Sequence, residues 1–376
     1  VSDVKVSDII SQMEYLAPTD LAEDWDPIGL SFGRLKQHVK RILVALDVDE
    51  NTIQEAKRKK ADLILTHHPA IFGSQKTLNQ EDERRKHYID LIKSDIAVYS
   101  AHTNLDAADG GMNDWLADSL GLKAADRKIL SVSLKRVYKK LAVYVPDYAS
   151  EKVRKALHHA GAGEVGNYTD VSYTLDGYGR FTPQEGAEPA EGEVGKAEKI
   201  HEERIEMMIK DTDVFNCLSA LKEAHPYEEP VFDLYTLEHK YQSFGLGRSG
   251  DLETPLTAKK LAEKINEQFD VDGVRYGTVD PNRVHKKIAV LGGAGEKFYK
   301  EALNKGATLY ITGDISYHGA QDMLREGLDF IDGGHYMEAI AVPRLVDYLN
   351  QCKTEKKWDI EIMKAEDQKD VFSYIK

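Results

Sequence analysis

Cysteine is almost missing from this chain: only Cys217 and Cys352 occur in 376 residues. They lie too far apart to define a disulfide framework or a thiolate metal site, and both are expected as buried thiols in a reducing compartment. No run approaches the roughly 20 consecutive apolar residues that span a bilayer. The opening VSDVKVSDIISQM also lacks the apolar stretch of a secretory signal. A cytoplasmic protein with no membrane partner is therefore the expectation. Positive charge is in deficit too. A formal net charge of −14 argues against nucleic acid as a main partner, because phosphate binding depends on clustered Lys and Arg.

What is present is enough for packed cores. Hydrophobic residues make up 41% and charged residues 30%, the balance of a globular protein rather than a disordered one. The length exceeds one ordinary domain and suggests two or three units.

The clearest organisational signal is an internal repeat. KRILVALDVDENTIQEAKRKKADLILTHHP (40–69) and KKIAVLGGAGEKFYKEALNKGATLYITGDIS (286–316) each read as strand, helix, strand. They register without a gap, Ile42 to Thr66 over Ile288 to Thr312. A helix and a further strand follow each copy: 82–93 and 96–100 in the first, 320–326 and 329–332 in the second. Alternating strands and helices imply parallel pairing with right-handed crossovers. Functional residues in such sheets gather at the carboxyl ends of strands, where His67, His68, His102, Asp314 and His335 all fall.

Between the copies the pattern changes to strand, helix, strand, strand, helix, strand, the βαββαβ order of a ferredoxin-like unit. Its middle hairpin carries the Gly- and Pro-rich TPQEGAEPAEGEVGKAEK, read as an exposed loop. The expected architecture is α/β: a duplicated two-lobe core of residues 1–135 and 240–376, with an inserted α+β domain at 136–239.

Four motifs can carry chemistry. In THHP (66–69), adjacent imidazoles at the end of an apolar strand need partners. Pro69 ends the strand and lets both rings converge, as metal ligands or as a polar pair on a surface loop; the motif alone leaves both open. SAHTNLDAADGGMND (100–114) packs His102, Asn104, Asp106, Asp109, Asn113 and Asp114 into one loop. Helix capping accounts for Asn113 or Asp114, but Asp106 lies too far upstream to cap and suits metal ligation. In DGGHYMEAI (332–340), His335 and Glu338 share one face of the helix expected after the glycine turn, a spacing that recurs in di-metal carboxylate sites. GDISYH (313–318) brings Asp314 and His318, read as groups that support a ligand or face a substrate. A core or surface place for His318 is equally open. LGGAGEKF (291–298) matches no nucleotide fingerprint and reads as a tight turn.

WDPIGL, LTHHP, HTNLDAADGGMND, GLGRSGDL, ITGDISYH and GGHYME, in this order, resemble the Nif-three-like family, often named as GTP cyclohydrolase I type 2 homologues. The resemblance covers the chain outside the insert. It implies a duplicated α/β fold, a pair of divalent metal ions and a toroidal homohexamer. The family's metal ligands fall on His67, His68, Asp106, His335 and Glu338. Many relatives put four residues between the last His and the Glu, whereas here the step is three. The insert, with HPYEEP (225–230), is similar to CutA and PII-like trimeric modules, which implies three-fold assembly and a regulatory ligand.

The function expected from residues and resemblance together is a metal-dependent hydrolase acting on a nucleotide or related heterocycle. In it, His102, Asp314 or His318 would move protons or orient substrate. The rival is a metal-binding regulatory or scaffold assembly that senses a ligand through the insert. Imidazole with carboxylate suits zinc first, and also iron, manganese or nickel.

Overall fold

A computed structural model of the chain describes residues 3–83, 85–269 and 271–375. It divides into two compact units, one of Val1–Leu134 with Phe244–Lys376 and the other Lys135–Ser243.

The first unit holds both copies of the repeat. Arg41–Ala45, Leu63–Thr66 and Ala97–Ser100 run parallel, with Gly29–Phe32 antiparallel on one edge and Glu361–Lys364 parallel on the other. The second copy repeats this with Val284–Ala294, Leu309–Gly313 and Asp329–Asp332, edged by Arg275–Gly277 and by the strand Phe232–Thr257. The duplication extends to register. Ile42 pairs with Leu63 and Val44 with Leu65, as Ile288 pairs with Leu309 and Val290 with Ile311; Thr66 pairs with Ser100 as Thr312 does with Asp332.

These strands are apolar on both faces, as parallel strands covered on both sides must be. Ile42, Val44, Leu63 and Leu65 point into one shared core with Ile288, Val290, Leu309 and Ile311. Helices Val6–Leu16, Met112–Leu120, Ala258–Gln268 and Ala341–Lys356 line that core. Leu43 and Ile64 point the other way, onto the helices Glu50–Arg58 and Lys86–Ser94. Ala289 and Tyr310 do the same against Tyr299–Asn304 and Tyr317–Arg325. Both sheets therefore fix their strand ends rigidly, and the candidate ligands sit at those ends. Cys352 is buried in this unit.

The second unit has the element order strand, helix, strand, strand, helix, strand. Its strand order is Tyr173–Phe181, Glu198–Lys210, residues 135–146 of the strand Lys128–Pro146, and residues 232–243 of the strand Phe232–Thr257, the ferredoxin-like arrangement. Leu141, Val143, Val145, Ile205, Met207 and Ile209 form one face and pack on helices Asp147–His159 and Val214–Ala224, where Cys217 is buried. Among the described residues no helix is long and apolar enough to cross a membrane.

Candidate metal centre

Four imidazoles converge in the first unit, each held by the same device. His67 follows the Leu63–Thr66 strand and is fully buried; its Nδ1–H donates to the Ala101 carbonyl at 2.9 Å. His68 Nδ1–H donates to Asp47 at 2.6 Å, His102 Nδ1–H to Asp26 at 3.0 Å, and His335 Nδ1–H to Asp314 at 2.7 Å. A carbonyl or ionised carboxylate can only accept, so each pairing places the proton on Nδ1 and leaves Nε2 as the outward nitrogen. The ring centroids of His67, His68 and His102 lie 5.1 to 5.5 Å apart, and His335 stands 5.2 Å from His68.

Two carboxylates face these nitrogens, Glu338 buried and Asp106 partly buried. Glu338 Oε2 lies 2.9 Å from His68 Nε2, 3.2 Å from His335 Nε2 and 3.7 Å from His67 Nε2. Asp106 Oδ1 is 3.5 Å from His67 Nε2. His67 Nε2 and Asp106 Oδ1 are both buried without a hydrogen-bond partner. Such orphaned atoms are costly unless something else binds them. Three overlapping groups bring ligand atoms within 4.8 Å of one another: His67, His68 and His102; His68, His335 and Glu338; His67, Asp106 and Glu338. Imidazole nitrogen with carboxylate oxygen, each nitrogen oriented by an acceptor on the far side of its ring, is the donor chemistry of a divalent-cation site. The residues fit a metal.

The electrostatics point the same way. Burial pushes the Asp106 carboxyl up to about 8, with the Glu338 charge adding to it. Burial also works against the His68 imidazolium, but hydrogen bonds to Asp47 and Glu338 outweigh it and carry His68 up to about 10. The Glu338 hydrogen bond raises His335 to about 9. Glu338 itself is held well below the ordinary range: burial opposes this, yet contacts with His335, His67 and His68 prevail. Without a cation the cluster keeps protons at neutral pH that a metal would displace.

The turn around Glu338 depends on glycine. A Cβ on Gly293, whose φ is +64°, would lie 2.8 Å from Glu338 Oε1, and one on Gly292 would lie 3.1 Å away. The run read from sequence as a plain tight turn is thus also the space that Glu338 occupies. His335–Ile340 is a 3-10 helix leading into Ala341–Lys356, not the opening of an α-helix. Residues three apart eclipse one another in a 3-10 turn, so the three-residue step still sets His335 and Glu338 side by side.

The segment read as one polar loop, 100–114, instead forms the helix Thr103–Ala107 and enters the helix Met112–Leu120. His102 and Asp106 face the cluster. Asn104 accepts from the His102 backbone and donates to the Ala17 carbonyl, and Asn113 bridges the Asp106 carbonyl and the Gly292 amide. Asp114 takes both ends of the buried Arg248 guanidinium at 2.9 and 3.0 Å, and Asp109 lies 4.0 Å from it.

His102 stands among the groups that could hold a metal. His318 does not join the converging groups: it is exposed, facing Gln321 at 3.4 Å and the Tyr317 ring. Ser316 caps the helix Tyr317–Arg325 through Gly319 and sets its first turn on the surface. Asp314, held at φ +56°, accepts the His335 Nδ1–H. Neither Asp47 nor Asp26 has a role assigned from the sequence. Asp26 lies 76 residues from His102 and Asp47 lies 21 from His68, so no local motif pairs them.

The family model for Duf34/NIF3 (NGG1p interacting factor 3) matches residues 4–370. A Bacillus subtilis protein named GTP cyclohydrolase 1 type 2 homolog is 40% identical over 367 residues, covering 98% of both chains. A solved Bacillus cereus protein described as related to NIF3 superposes with a TM-score of 0.90 at 37% identity, over 100% of each chain. A solved Staphylococcus aureus protein does so with 0.82 at 28%, again over 100% of each. The duplicated α/β core and its converging imidazoles and carboxylates are therefore those of a member of the Duf34/NIF3 family, to which this chain belongs.

Proposed function

We propose that the chain is a metal-dependent hydrolase that holds two divalent cations and acts on a nucleotide or related heterocycle. The observation that carries this reading is the convergence of four Nδ1-anchored imidazoles on the carboxylates of Glu338 and Asp106, with His67 Nε2 and Asp106 Oδ1 buried without a partner. Six donor groups exceed what one tetrahedral ion takes, and the three overlapping triads favour a pair. Glu338, close to three Nε2 atoms, is the group placed to serve both. Zinc suits these donors first, with iron, manganese or nickel also compatible.

Bound there, divalent cations supply Lewis acidity and acidify water. The chain's own part is to fix the imidazoles through Ala101, Asp47, Asp26 and Asp314. Asp314 and Asp47, both partly open to solvent, can also orient a substrate at the edge of the cluster. A cavity of about 550 Å³ opens beside Asp47, lined by Phe72, Tyr88 and Tyr336 with Arg85 and Lys369. Aromatic faces suit a heterocycle and the cationic groups suit its phosphates. The names of the curated relatives agree with this class. The reading includes the homohexameric ring that family resemblance implies.

The test is turnover by the metal-loaded chain across nucleoside triphosphates and cyclic amides, beside the same preparation stripped with chelator. Hydrolysis that falls at least ~100-fold on stripping is expected, in keeping with the contribution of positioned catalytic groups. If the loaded protein turns over no substrate above the stripped control, the hydrolase reading fails and the regulatory assembly replaces it.

A further inference from the structure

The second unit contains a cavity of its own, about 720 Å³, set entirely within residues 144–231. That volume is ample for a small organic ligand. Its origin lies in the strand pattern. On Glu198–Lys210, odd-numbered residues such as Ile205 and Met207 enter the helix-covered core. Even-numbered residues point to the opposite face, where Glu202 pairs with Gly177 and Arg204 with Leu175 and Tyr144. The 182–191 and 227–231 segments complete the lining over that face.

Glu202 is the unusual group there. It is buried, it lines the cavity, and its hydrogen bond comes from the Tyr227 hydroxyl at 3.0 Å. Among the described residues no Lys or Arg forms an ion pair with it. The nearby Arg204 bonds instead to Glu206 at 3.0 Å and lies over the Tyr144 ring. A buried carboxylate without a counter-cation is unfavourable unless a ligand supplies one. Gly179 keeps the space clear: a Cβ there would lie 2.2 Å from Glu202 Oε2.

The remaining walls are suited to a cation. Tyr144, Phe181 and Tyr227 present rings to the cavity, with Phe181 and Tyr227 edge to face at 6.1 Å. Glu191, Glu228 and Glu229 add carboxylates, outnumbering the guanidinium groups of Arg180 and Arg204. Aromatic faces around a desolvated carboxylate recognise ammonium and guanidinium groups. We propose that this cavity is a binding site for a small organic cation carrying an ammonium or guanidinium group, with Glu202 as its counter-ion and the rings of Tyr144, Phe181 and Tyr227 as its walls. The proposal is independent of the metal centre and of the hydrolase reading.

The test titrates the full-length, metal-loaded chain with benzylammonium and benzylguanidinium, beside benzyl alcohol and benzoate, following the methyl resonances of Leu175 and Val231 together with calorimetry. The cations are expected to shift those methyls and to bind at least tenfold tighter than benzyl alcohol, with benzoate weakest. Glu202→Gln lowers cation affinity tenfold or more, whereas Tyr227→Phe, which keeps the ring, retains it. Gly179→Ala, which changes no charge, also weakens the cations by crowding the carboxylate, so the result does not hang on the folding of one variant. Equal binding of benzyl alcohol, no shift at either methyl, or undiminished affinity in folded Glu202→Gln overturns the proposal.

Discussion

Glu338→Gln leaves the chain folded but unable to retain its full metal complement. Affinity falls by more than the ~10–100-fold that follows changes one step behind the ligands. The physical reason is centrality: one carboxylate oxygen lies 2.9, 3.2 and 3.7 Å from the Nε2 atoms of His68, His335 and His67. The amide keeps the volume between Gly292, Gly293 and the imidazoles but removes the charge, so packing loss does not confuse the outcome. Metal content after gel filtration, with a competition titration against a chromophoric chelator, reads the effect. Wild-type occupancy in Glu338→Gln would show that this carboxylate is only a hydrogen-bond acceptor for the surrounding rings.

Removing metal should also invert how stability responds to pH. In the stripped chain, His68 and His335 sit at about 10 and about 9, above the ordinary imidazole value. Their stabilisation is fully present below that ordinary value and is lost as pH rises through 9 and 10. Asp106, pushed up to about 8, acts in the same direction, because the folded state resists its ionisation as pH climbs from the usual carboxylate range. Glu338 acts oppositely, its contribution disappearing only in acid. Stripped protein is therefore expected to melt at progressively lower temperature from pH 6 to pH 9. With divalent cation present the protons are displaced and binding strengthens with pH. Cation at about 1,000 times its Kd adds ~4 kcal/mol. Calorimetric melting curves across that range, with chelator and with metal, should diverge as pH rises. Parallel curves would mean that these groups do not share a site with the cation.

Much of this was legible because the duplication is ungapped. Once Ile42–Thr66 lies over Ile288–Thr312, the strand ends follow: His102 and His335 appear at equivalent places, and His67 and His68 where the second copy has Gly313 and Asp314. Asp106 stands out because it lies too far upstream to cap the next helix; the structure turns Asp106 toward the cluster while Asn104, Asn113 and Asp114 bond to other parts of the chain. Asp26 and Asp47 were opaque for the opposite reason: their role is defined only by a ring brought from elsewhere in the chain. Gly292 and Gly293 read as turn residues because the Glu338 side chain they admit lies across the fold, not along it. His318 was misleading, since a histidine next to a functional segment carries no mark of which way its helix faces. The cavity around Glu202 left no motif at all. It arises from alternation along one strand and from two glycines on its neighbour, and neither signals a site until the strands are paired.

The claim on which the rest depends is that His67, His68, His102, Asp106, His335 and Glu338 together hold two cations. Anomalous diffraction from crystals of protein purified without chelator, collected on both sides of the zinc, iron, nickel and manganese edges, tests it most directly. The account predicts two anomalous peaks a few ångströms apart within this cluster, each about 2 Å from at least two of the named side chains. A single peak, or metal bound elsewhere with these six groups paired only to one another, would contradict it.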